Sequence, residues 1–314
     1  MSRVVRFTRS LPWMLLLALG TVLSLASPGQ AAEKLRVVAT FSVIADIVAN
    51  VAGDHVELAT LVGPDGDSEL YQPTAADAAT VARANLLLMN GINDEFEPWL
   101  DNLLKQAKFA GTKVIVSRGV KALTADDEHP IGRKPVAAKL DQHAWLDPRN
   151  AILYTRNIAA ALVRADPANA DDYRARGAAY TAELQTLDAW ARKQMVAVPT
   201  AKRRALSSHD SMQYFANAFG ITLISVNGWT NLSEPSAAEL ARLTIQIRQE
   251  RVHALFLDSI TDPRAMERIG RETGAVIGGT LYGDALSKLD GEAGTYIKMI
   301  HHDIDVIKAG MLLN

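Results

Sequence analysis

Glu69, His143, His209 and Asp284 are the residues of this chain whose types and places could do chemistry together. Glu69 sits in GDSELYQPTAAD after the strand-like run VELATLV, and His143 sits in LDQHAWLDPRN. His209 directly follows RRALSS, and Asp284 follows AVIGGTLYG. Two imidazoles and two carboxylates can surround a divalent cation, and the two acids would neutralise its charge. Taken singly, each residue has a plainer reading. Glu69 reads as a solvated loop acid, since acids are rarely buried without partners. His143 reads as a capped loop histidine, Asp284 as the start of a helix, and His209 as part of a helix N-terminus capped by Ser208 or Asp210.

The set gains meaning from the elements that must position it. From Leu35, short β-branched runs alternate with amphipathic helical stretches: LRVVAT, SVIADIVANVAG, VELATLV, PTAADAATVARA, NLLLMN, FEPWLDNLLKQA and TKVIVS. Such alternation implies right-handed β-α-β units and a parallel sheet covered on both faces. Residues 123–142 break the rhythm with Asp126, Asp127, Glu128, His129 and two prolines, and read as a loop. DDYRARGAAYTAELQTLDAWARKQM then predicts one long helix ended by Pro199. After it the alternation returns through RRALSS, SMQYFANAFG, ITLISV, PSAAELARLTIQIRQE, HALFLD, DPRAMERIGRETG and AVIGGT, with a last helix from Ala293 to about Leu312. The expected fold is α/β, with lobes at 33–148 and 199–314 joined by a helical region at 149–198. Ligands of open α/β sheets settle at the carboxyl ends of strands, where all four candidates lie, two in each half.

Composition removes several classes. A formal net charge of −2 offers no basic footprint for nucleic acid. Arg3, Arg6 and Arg9 precede an apolar run at 11–26 that ends in small residues, the pattern of a signal peptide over 1–32 cleaved after Ala31 or Ala32. The run is shorter than the ~20 residues of a bilayer span. The chain has no cysteine, so the exported product is expected to be a soluble periplasmic protein with neither a disulfide nor a lipid-bearing thiol. Roughly 280 residues remain, enough for two medium domains.

The stretches DSELYQPTAAD, NGINDEFEPWL, DQHAWLDPRN, SSHDSMQYFANAFG and LYGDALS, with GTYIKMIHHDIDVI after it, together resemble the periplasmic metal-binding receptors of zinc, manganese and iron ABC importers. The resemblance covers nearly the whole chain after residue 32, in order and spacing. It implies two Rossmann-like lobes with parallel sheets joined by a rigid backbone helix, and one metal held between them by a donor from each of four loops. On that basis His143, His209 and Asp284 fall on ligand positions, and Glu69 stands where the family usually has histidine. The resemblance also implies a non-enzymatic receptor, monomeric, whose partner is the ABC importer permease at the inner membrane. Zinc receptors of this kind tend to offer three histidines and a histidine-rich loop, whereas manganese and iron receptors tend to offer two histidines and two carboxylates. This chain has the second count, although its glutamate lies on the first loop rather than the third, and His129 is the one histidine of its 123–142 loop. Oxygen donors favour Mn²⁺ or Fe²⁺ as cargo, with Zn²⁺ close behind because simple sites still bind zinc more tightly.

Trp145 and Tyr71 are expected to pack around the site, and Asp141, Ser207 and Asp210 are candidates to hold the ring N–H groups. His55 and His253 begin strands and read as surface residues. His301 and His302 are neighbours on a helix, about 100° apart, and do not face one site. A competing reading is a metallohydrolase with His143, His209 and Asp284 as ligands and Glu69 as base, but no HExxH spacing is present. A zinc-specific receptor of the same fold and a surface adhesin are further alternatives, the latter disfavoured by the missing cysteine.

Overall fold

β-branched and leucine-rich runs form the strands of two parallel sheets, and the alanine-rich runs between them form helices. The computed structural model describes residues 1–2, 33–93, 95–124, 140–209, 211–224, 236–250 and 252–314. The described residues from Lys34 onward belong to one compact unit. The expected signal peptide with its cleavage site, Asp210, and most of the 123–142 loop including His129 lie outside the described residues. No helix among the described residues is long and apolar enough to cross a membrane.

The unit begins with β1 (Leu35–Phe41), α1 (Ser42–Ala52), β2 (Val56–Val62), α2 (Ala75–Arg83), β3 (Leu86–Met89), α3 (Leu100–Gln106) and β4 (Thr112–Ile115). The strands pair parallel in the order β2-β1-β3-β4. Central β1 is buried from Val37 to Phe41, as a strand covered on both faces must be. α2 starts at a capping box: the Thr74 side chain accepts the Asp77 N–H while Asp77 accepts the Thr74 N–H. α3 begins four residues later than FEPWLDNLLKQA suggests.

Two helices then separate the sheets, α4 (Pro148–Ala165) and α5 (Ala170–Val196). α4 opens with proline in its first turn and Asp147 as its cap. α5 has 27 residues, about 40 Å of helix. Its buried residues Tyr173, Gly177, Tyr180, Leu184, Leu187, Ala191 and Met195 recur every three or four positions, giving one apolar stripe along the whole length.

The second sheet follows: β5 (Arg204–Ser207), α6 (Gln213–Phe219), β6 (Thr222–Ile224), α7 (Ala237–Glu250), β7 (Ala254–Asp258), α8 (Arg264–Thr273), β8 (Val276–Leu281) and finally α9 (Tyr296–Met311). Its order, β6-β5-β7-β8 and all parallel, repeats that of the first sheet. α6 and α8 stop at Gly220 and Gly274, whose φ of 68° and 80° are left-handed. α9 starts at Tyr296 rather than Ala293, because the Thr295 hydroxyl caps it by accepting the Lys298 N–H.

The stripe on α5 packs against α1 of the first half and α9 of the second, which itself covers β8 and β7. Hydrogen bonds also cross directly between the halves. Asp65 N–H donates to Leu286 O (2.8 Å), and Leu286 N–H to Ser42 Oγ (2.9 Å). Trp145 Nε1–H donates to Gly283 O (2.8 Å), Tyr296 O–H to Trp145 O (2.6 Å), and Tyr296 N–H to Asp46 Oδ2 (3.0 Å). The carboxyl ends of the two sheets are thereby fixed against each other.

Candidate metal centre

Glu69 leaves β2 on a loop turned inward by Asp67, whose Oδ1 accepts the N–H groups of Glu69 (2.8 Å) and Leu70 (3.1 Å). Trp99 Nε1–H anchors the same loop at Ser68 O (2.7 Å). Tyr71 lies edge-on to Trp99 and donates its hydroxyl to Asp77 (2.8 Å), so it braces the loop.

His143 follows β4 and precedes a short 3₁₀ turn, Ala144–Leu146. Asp141 holds it twice: Oδ1 accepts the His143 backbone N–H (2.9 Å) and faces ring Nδ1 at 2.7 Å. That contact assigns the proton to Nδ1 and leaves Nε2 as the donor atom. Phe96 and Trp145 wall the ring at centroid distances of 6.0 and 5.4 Å.

His209 lies two residues beyond Ser207, the last residue of β5. α6 does not begin until Gln213, and its cap position is Met212, so the helix-cap reading of His209 does not hold. Ser208 is engaged elsewhere: its Oγ accepts the Asp258 N–H (2.8 Å) and lies 2.7 Å from Thr261 Oγ1. Ser207 also departs from expectation. Its Oγ accepts the His209 backbone N–H at 3.5 Å and does not bond the ring. Asp284 follows β8 in a non-helical segment, so it starts no helix either.

The loops bring all four candidates together. Ligand atoms of Glu69, His143, His209 and Asp284 all lie within 4.8 Å of one another. His143 Nε2 is 3.2 Å from Asp284 Oδ1, His209 Nε2 is 3.0 Å from Asp284 Oδ2, and His143 Nε2 is 4.0 Å from Glu69 Oε1. The side chain of Asp284 is fully buried, those of His143 and His209 are 4% and 3% exposed, and that of Glu69 is 11% exposed. Despite this burial, His143 Nε2, both ring nitrogens of His209 and both oxygens of Asp284 have no hydrogen bond of acceptable geometry. Buried polar atoms without partners are rare, and one nitrogen of each ring meets the Asp284 oxygens here. Donors bound to one cation at ~2.0–2.2 Å lie roughly 3.4 Å apart, so this cluster needs only small shifts to close on an ion.

The electrostatics suit a cation at this point. Burial opposes charge on Asp284, but His209 and His143 outweigh it and hold the carboxyl well below its usual range. Burial opposes a charged His209 as well, yet Asp284 pushes it up to about 9. His143 is also raised, against burial, by Asp284 and Asp141. Glu69 is raised, by burial first and then by the charge of Asp284. Protons on the imidazoles thus do the work a dication would do.

Three other histidines are engaged away from the site. His55 Nε2 meets Asp172 at 2.8 Å, His301 packs on Trp190, and His302 Nε2 is 2.9 Å from Thr280 O. Sequence reasoning missed two neighbours. Gln142 Nε2–H donates to Glu69 Oε1 at 2.6 Å, and nothing in a single sequence marks it. Asp258, buried at the end of β7 and pushed up to about 6 by burial and then by Asp284, could have been found by the same strand-end rule that found the others.

Residues 37–310 match the family described as "ZnuA: Zinc-uptake complex component A periplasmic". The chain is 33% identical to the metal ABC transporter substrate-binding lipoprotein FimA of Streptococcus parasanguinis, over 92% of this chain and 93% of that one. It is 31% identical to the iron-binding protein YfeA of Yersinia pestis, over 97% and 96%. Among solved structures, the Mn-bound periplasmic metal binding protein of Candidatus Liberibacter asiaticus superposes with a TM-score of 0.79 at 28% identity, covering 88% of this chain and 100% of that one. A match that runs from the first strand to the last helix, with relatives alike over nearly their whole length, makes this chain a member of the periplasmic zinc-uptake component A family.

Proposed function

We propose that this protein is a periplasmic solute-binding receptor that captures a divalent transition metal between its two lobes and delivers it to an ABC importer. The observation that carries this reading is the convergence of Glu69, His143, His209 and Asp284, two from each half, on one buried point. In this reading the lobes span 33–148 and 199–314 with a helical link at 149–198, and the exported chain is monomeric and soluble after cleavage at Ala31 or Ala32. FimA is named a lipoprotein, whereas this chain has no cysteine to carry a lipid.

The cation displaces protons from the imidazoles, and each ring then donates a nitrogen lone pair while the two carboxylates balance the charge. Glu69 acts as a fourth donor rather than as a base beside a three-ligand zinc. Two nitrogens and two carboxylates favour Mn²⁺ or Fe²⁺ over Zn²⁺ as cargo, with zinc still able to bind. The α5 strut and the hydrogen bonds between the halves disfavour a wide hinge, so release proceeds through loop movement or slight lobe tilting on docking to the permease.

Elemental analysis of protein isolated from periplasm without chelator, paired with calorimetric titration of Mn²⁺, Fe²⁺ and Zn²⁺, tests this. One tightly held transition metal per chain is expected, abolished in Asp284→Ala. Absence of uptake of any transition metal would overturn the reading.

A further inference from the structure

We infer that Gln142 sets how Glu69 meets the cation, and through that the preference of the site among divalent metals. The inference deepens the receptor reading and rests on it. The Gln142 side-chain amide donates to Glu69 Oε1 at 2.6 Å, and Gln142 is only 6% exposed. The orientation of that amide is settled by chemistry: turned over, it would set its oxygen against a carboxylate oxygen at the same distance, two acceptors with no proton between them.

Gln142 is itself held from behind. Its backbone oxygen accepts the Asn90 side-chain N–H (2.8 Å), and Asn90 is fully buried at the end of β3. Tyr154 O–H donates to Asn90 Oδ1, Ser117 O–H donates to Asn90 O (2.6 Å), and Asn90 N–H donates to Glu97 (3.3 Å). With its backbone held and its side chain buried, Gln142 leaves the Glu69 carboxylate little room to turn. Oε1 is also the oxygen that lies 4.0 Å from His143 Nε2, so Gln142 engages one lone pair of the oxygen facing the cluster and opposes the turn that would bring both Glu69 oxygens equally close to a cation.

That matters for metal choice. Zinc is content with four donors in a tetrahedron, whereas larger, harder cations take more oxygens and accept bidentate carboxylates. By opposing that turn of Glu69, Gln142 keeps the coordination number low and restrains a preference for manganese that two carboxylates would otherwise strengthen. The stretch Asp141-Gln142-His143 therefore carries a ligand, the brace of that ligand, and the brace of a second ligand from another loop.

The test is competitive titration of Mn²⁺ against Zn²⁺ on the full chain in Gln142→Leu, which removes the amide, and Gln142→Asn, which shortens its reach. The Mn-to-Zn affinity ratio is expected to rise about tenfold in both, in line with the ~10–100-fold effects of outer partners on metal affinity. With Co²⁺ as a probe, the visible bands should weaken in the variants as coordination rises above four. In a Glu69→His background the same substitutions should leave the ratio unmoved. A ratio within about twofold of the unmodified protein, or an equal change in the Glu69→His background, would overturn the role of Gln142 while leaving the receptor intact. Failure of the unmodified protein to take up either metal would overturn both.

Discussion

On the wall contributed by the first half, His143 has Asp141 at its Nδ1 and Glu69 has Gln142 at its Oε1, at 2.7 and 2.6 Å. On the opposite wall, neither nitrogen of His209 and neither oxygen of Asp284 has a hydrogen-bond partner among the described residues, although both side chains are buried. The first wall is braced before a cation arrives, and the second is held by the attraction of its own members for each other and for His143. The difference separates two tasks. Under the proposed function, a braced wall would define where the metal sits, and a wall whose donors lack other partners would gain most from binding it and lose most when it leaves.

Substitutions sharpen the contrast in a definite order. Asp284→Ala removes the acid that faces both imidazoles and leaves two buried rings without a counter-charge, so metal affinity should fall by more than the ~100-fold upper range of outer partners, measured by calorimetry. Asp141→Asn weakens the brace on His143 and should cost about 10–100-fold. Glu69→His should shift the metal ratio toward zinc under competition, by about tenfold, because a nitrogen replaces an oxygen. Ser207→Ala, whose hydroxyl touches only the backbone of His209 at 3.5 Å, should change affinity less than about twofold. Equal losses in Asp141→Asn and Ser207→Ala would erase the distinction between the walls.

Protons supply another test of the same contrast. His209 is raised from 6.5 to about 9 by Asp284, against burial, so the metal-free protein gains stability from this pair that is fully present below pH 6.5 and lost as pH rises through 9. Asp284 is depressed from 3.8, so its share is present above that pH and lost as pH falls below it. The metal-free cluster should therefore stabilise the fold most between about pH 4 and 6.5. Metal binding needs neutral rings, so titrations at pH 7 in buffers of different ionisation enthalpy should register proton release, and affinity should climb with pH up to about 9. Binding without proton release would mean that the histidines are not ligands.

Much of this was legible in the residues. β-branched runs alternating with amphipathic ones foretell both parallel sheets, and the strand-end rule picks out Glu69, His143, His209 and Asp284. The long helix at 170–196 follows from its apolar stripe and Pro199. What one sequence could not supply is side-chain direction. Ser207 and Gln142 each lie within two residues of a candidate ligand, yet one bonds only backbone and the other reaches a carboxylate from a different loop. Spacing of residues cannot distinguish them, because the outcome depends on how loops from separate parts of the sheet meet. The expected start of α9 at Ala293 comes too early for a related reason, since only the structure shows the Thr295 side chain turned to cap the helix.

The most direct measurement is anomalous diffraction from crystals grown with Mn²⁺. The account predicts one strong peak within ~2.0–2.4 Å of donor atoms from Glu69, His143, His209 and Asp284 together. A peak bonded elsewhere, or one that leaves out the side chains of either wall, would contradict it.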